Sequence, residues 1–71
     1  MDRLQEIKNF TPAFRSNLAE FYYRRLRGIT YELNPVLVQA MDDMSRKLLP
    51  SPEGVLELEK MYQANRAAGK L

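Results

Sequence analysis

The sequence predicts an all-α fold: a small bundle of three main helices with a short N-terminal helix or arm. Three observations predict it. Apolar residues recur at the 3.6-residue helical period in three long stretches. Each stretch opens on a capping residue followed by proline: Thr11-Pro12, Asn34-Pro35 and Ser51-Pro52. Each closes on a residue that ends helices, namely Gly28, Pro50 and Gly69. The 71 residues suffice for one domain, residues 1–71. Its helices are expected at about 2–9, 12–27, 35–48 and 52–67.

In the first segment, Asp2 followed by Gln5 resembles a capping box, and Leu4, Ile7 and Phe10 share a face. Two turns are marginal in water, so this segment must dock or fray. The second segment, residues 11–28, is read as the organising element. It holds two of the three Phe, two of the four Tyr and four of the seven Arg. Thr11 caps it, and Pro12 sits where no backbone N–H is required. Phe14, Leu18, Phe21, Tyr22 and Leu26 form one stripe, widened by Ala19 and Tyr23. Ser16, Asn17, Glu20, Arg24 and Arg27 take the other side. Arg25 falls within the stripe. It either reaches to water and complements the negative end of the helix dipole, or is a buried or interface arginine paired with a carboxylate of a neighbouring helix or a partner.

Residues 29–34 connect this helix to the next. Ile29, Tyr31 and Leu33 alternate with polar residues, which is a strand period. They are read as an extended linker covering the core edge, with strand addition to a partner's sheet as the alternative. The third segment places Leu37, Ala40, Met41, Met44 and Leu48 on one face. Asp42 with Arg46 and Asp43 with Lys47 are i,i+4 pairs on the other. The last segment presents Val55, Leu58, Met61 and Tyr62. Glu53, Glu57 and Glu59 are read as surface charge. Gly54, unusual in a helix, suggests close packing. The expected core is Phe14, Leu18, Phe21, Leu37, Met41, Met44, Leu48, Val55, Leu58 and Tyr62.

Composition narrows the functional classes. There is no Cys and no His, so disulfides, the usual zinc ligands, a thiol nucleophile and a histidine base are all missing. The three glycines are isolated and form no phosphate loop. The reading is therefore no enzyme, no cofactor, no metal and no small-molecule substrate. Met1-Asp2-Arg3 opens without an apolar leader, and no run spans a bilayer, so a cytoplasmic location without a membrane span is expected. The lack of Cys is compatible with that compartment.

A short chain builds a thin core and usually needs help from a partner. This points to a protein–protein interaction module: a small adaptor, regulator or assembly subunit bound to a protein partner or to further copies of itself. Tyr22, Tyr23, Arg24, Arg25 and Arg27 are the expected partner-binding residues, because tyrosine and arginine are enriched at interface hot spots. The alternative is a nucleic-acid-binding accessory protein using residues 21–27, where aromatics and arginines interleave. The net charge of only +2 and the acidic start of the last helix argue against a dedicated nucleic-acid binder.

Overall fold

The computed structural model describes residues 2–29, 33–46 and 48–71. Four helices pack together: α1 (Arg3–Asn9), α2 (Pro12–Leu26), α3 (Pro35–Ser45) and α4 (Pro52–Ala67). No strand occurs among the described residues. The alternating connector falls largely on 30–32, outside the described residues, as does Lys47.

Every helix starts on a side-chain cap. Asp2 Oδ1 accepts from the Gln5 N–H at 2.8 Å. Thr11 Oγ1 accepts from Phe14 at 3.1 Å. Asn34 Oδ1 accepts from both Val36 and Leu37, at 3.0 and 3.2 Å. Ser51 Oγ accepts from Gly54 at 3.1 Å. Each bond satisfies a donor that the first helical turn would otherwise leave open.

The helix ends are set by backbone geometry. After α2, Arg27 (φ −63°, ψ 138°) and Gly28 (φ 91°) form a type II turn. The Ile29 N–H closes it by donating to the Leu26 carbonyl at 3.1 Å. Only glycine takes the third turn position without strain. The third helix ends at Ser45, three residues short of the expected boundary. There the Leu48 N–H donates to the Asp43 carbonyl at 2.7 Å, a six-to-one bond that folds the chain away from the helix axis. Leu48 is consequently exposed.

The hub is α4, not α2. It packs against each of the other three helices, whereas α1 docks on α4 alone among the principal helix contacts. The buried apolar core comprises Ile7, Ala19, Tyr22, Leu26, Leu37, Ala40, Val55 and Leu58. Leu18, Met41, Met44 and Tyr62 pack against it partly buried. Three expected core residues lie outside: Phe14, Phe21 and Leu48 are 52%, 41% and 52% exposed. The buried face of α2 is rotated by about one residue step, about 100°, from the Phe14–Leu18–Phe21 stripe. Ala19, Tyr22 and Leu26 make up that buried face.

Close approach governs α3 against α4. A Cβ placed on Gly54 would lie 2.8 Å from Ala40 Cβ and 3.1 Å from Ser51 Oγ. Ala40 is itself buried, so glycine faces alanine at a tight crossing. The start of α3 is held there too: the capping Asn34 donates through Nδ2 to Glu57 Oε2 on α4 at 3.0 Å.

We expect Gly54→Ala to lower stability although alanine is the better helix former by about 1 kcal/mol. Overpacking costs about 1–3 kcal/mol, because Ala40 Cβ is fixed directly to its backbone and Ser51 Oγ is held by its cap bond to Gly54. Thermal denaturation followed by circular dichroism should show a lower Tm. Adding Ala40→Gly should recover part of the loss, whereas simple additivity of the two changes would refute the tight crossing.

Candidate functional site

The five expected contact residues do not form one patch. Successive residues on a helix point about 100° apart, and α2 distributes these over three surroundings. Tyr22 is a core residue, 8% exposed, and is removed from the contact set. Its ring packs against Tyr62 at 5.1 Å between centroids and edge-on to Phe21 at 5.4 Å. Arg25 is exposed, with its guanidinium carbon 3.7 Å from the Phe21 ring centroid. Its Nη1 donates to the Phe21 carbonyl at 3.4 Å. Arg25 is not buried, and no carboxylate of another helix pairs with it among the described residues.

Tyr23, Arg24 and Arg27 do converge. With Ser16, Glu20, Met44 and Leu48 they line a cleft of about 340 Å³ between α2 and the C-terminal end of α3. The Tyr23 hydroxyl spans the two helices, 3.2 Å from Ser45 Oγ. Arg24 Nη2 donates to Glu20 Oε1 at 2.6 Å, an i,i+4 ion pair. Arg27 has no ion-pair partner among the described residues. Among the described residues, the cleft thus holds two guanidinium groups and one carboxylate, beside the apolar Met44 and the half-exposed Leu48.

A second polar cluster was missed by the sequence reading, which took Glu59 as surface charge. Glu59 is 8% exposed. Both its oxygens accept from Arg3 Nε, at 3.1 and 2.9 Å. This clamp fastens α1 to α4. The Arg3 guanidinium also lies 5.4 Å from the Phe10 ring centroid, and Phe10 meets Phe14 edge-on at 4.7 Å. Hydrogen bonding to Glu59 raises the Arg3 pKa further above its already high ordinary value. Burial, followed by the nearby Glu59 charge, raises the Tyr22 hydroxyl above the ordinary tyrosine value. The signal available in sequence was positional: Glu59 follows Leu58 and lies one turn after Val55, on the inward face of α4.

Other charge expectations divide. Glu57 is half-buried and serves the Asn34 cap rather than only solvent. Asp43 accepts from Gln39 Nε2 at 2.8 Å. Asp42 and Arg46 form no side-chain ion pair among the described residues. Arg15, on the inward side of α2, has its Nε enclosed without a hydrogen-bond partner.

No group of three or more His, Cys, Asp or Glu suited to a metal ion occurs among the described residues. Nor is any described helix long and apolar enough to cross a membrane. Fold and cleft together define a small helical bundle with a mixed apolar and basic surface groove. Comparison of the chain with protein-family models, curated proteins and solved structures yields no match.

The clamp generates a prediction with two readouts. Glu59→Gln should destabilise the fold by about 1–3 kcal/mol, because Arg3 loses its charged acceptor. It should also bring the Tyr22 titration, read as tyrosinate absorbance, down towards the ordinary value. A raised folded pKa means that Tyr22 adds stability below the ordinary tyrosine pKa, and this is lost as pH climbs through the folded value. The variant should therefore lose less stability over that alkaline range. Unchanged stability and an unchanged Tyr22 titration would contradict the clamp.

Proposed function

We propose that this chain is a non-enzymatic protein–protein interaction module, a small adaptor, regulator or assembly subunit that docks on another polypeptide. The observation that carries this reading is the apolar surface left outside the core. Phe14, Phe21, Leu33, Val36, Val38, Leu48 and Leu49 are all at least 40% exposed. Single exposed apolar residues are ordinary, but Phe14 and Phe21 lie two turns apart on one face of α2. Exposed Leu48 meets two arginines in the cleft. Apolar surface rimmed by arginine and tyrosine is the composition of interface hot spots.

Absence of His and Cys and of a clustered set of acids among the described residues favours binding over catalysis. The cytoplasm suits a chain without cysteine. The nucleic-acid alternative loses support in the geometry. Tyr22 is buried, Arg25 lies outside the cleft in an adjoining depression lined also by Phe21, Glu20 and Arg24, and Glu20 pairs with Arg24. Among the described residues, Glu20 thus interrupts the row of arginines that would follow a phosphate backbone.

Affinity capture of the tagged chain from its native lysate, after nuclease treatment, tests the proposal alongside sedimentation of the pure chain. A stoichiometric protein partner, or self-association at micromolar concentration, is the expected result. Loss of every bound species on nuclease treatment, or a monomer that captures no protein, would overturn it.

A further inference from the structure

We infer that the cleft between α2 and α3 is a docking site for an acidic amphipathic peptide segment, an inference that rests on the interaction reading above. The charge arrangement selects the occupant. Among the described residues, three side chains with a formal charge at neutral pH line the cleft: Glu20, Arg24 and Arg27. Glu20 and Arg24 satisfy one another at 2.6 Å. Arg27 is exposed and has no ion-pair partner among the described residues. Among the described residues, one guanidinium without an ion-pair partner therefore lines the cleft, and a guanidinium prefers a carboxylate held in its plane.

The apolar side selects the rest. Met44 and Leu48 contribute thioether and isobutyl surface on the α3 side. Leu48 is 52% exposed and its neighbour Leu49 is 63% exposed. Methionine adapts to differently shaped apolar partners. A volume of about 340 Å³ is near the lower end for small-molecule pockets. It admits one or two side chains of a peptide that otherwise stays outside. A helix bearing an Asp or Glu three or four residues from a Leu, Met or Phe presents both groups on one face. Such a segment can place its carboxylate on Arg27 and its apolar side chain on Met44 and Leu48. Tyr23 lines the cleft, and its hydroxyl bonds Ser45 Oγ at 3.2 Å, which leaves one hydroxyl proton of the pair free to donate to the same carboxylate or to its backbone.

A random peptide display library selected on the intact chain provides the probe. Enriched peptides should share an acidic residue three or four positions from a large apolar one. Binding of a synthetic representative, measured by fluorescence anisotropy, should weaken at least tenfold for Arg27→Glu and for Leu48→Ser. Arg66→Gln, at the last turn of α4, should leave it unchanged. Arg27, Leu48 and Arg66 are exposed, and circular dichroism checks that each variant remains folded. Absence of enrichment, a consensus without an acid, or binding indifferent to Arg27→Glu would overturn the inference. Tighter binding of a uridine oligonucleotide, lost in Arg27→Glu, would overturn it in favour of nucleic acid. If the peptide result fails while lysate capture still retains a protein, the interaction reading stands and only this site falls.

Discussion

The packing of α4 against its three neighbours is the constraint on which the remaining structure depends. Val55 and Leu58 are fully buried on this helix. Gly54 gives α3 its close approach. Glu59 clamps α1 through Arg3, and Glu57 anchors the cap that starts α3. Six consecutive positions of one helix, 54–59, thereby address each neighbour by a different means: contact of small residues, burial of branched side chains, and a charge pair buried on its carboxylate side. A 71-residue chain has little apolar surface to bury, so concentrating it on one shared helix lets each other element bury its inward face once.

Much of this architecture was legible in the sequence. The cap-and-proline signals placed the N-termini of α2, α3 and α4 correctly, because an N-cap is a local interaction between a side chain and the next turn. Glycine at position 28 marked a positive φ for the same reason. The choice of buried face on α2 was not legible, and its physical cause is specific. Its apolar residues spread around more than half of the helix. Either orientation brings an arginine inward: Arg25 if the phenylalanines are buried, Arg15 if Ala19 and Leu26 are. Size favoured the phenylalanines, but Ala19, Tyr22 and Leu26 are the residues buried. Likewise α3 stops where the Leu48 N–H finds the Asp43 carbonyl, an event that depends on the whole turn and not on the apolar period.

The candidate site was half legible. Residue type alone drew attention to Tyr22, Tyr23, Arg24, Arg25 and Arg27, yet the helix separates them. Tyr23, Arg24 and Arg27 share the cleft, and only the tertiary structure supplies its opposite wall from Met44 and Leu48. The Arg3–Glu59 clamp spans 56 positions, a distance over which no sequence pattern couples two charges. The same rotation that leaves Phe14 and Phe21 outside the core also turns Tyr22 into it. The surface apolar groups and the loss of one expected contact residue thus share a single cause.

Native-state hydrogen exchange tests the central role of α4 most directly. If α4 is the hub, its buried amides exchange only through global unfolding, and their free energies of opening equal the equilibrium stability. Amides of α1, a seven-residue helix that docks on α4, should exchange through a smaller opening. The opposite order, with α4 amides exchanging early while α2 remains protected, would contradict the account.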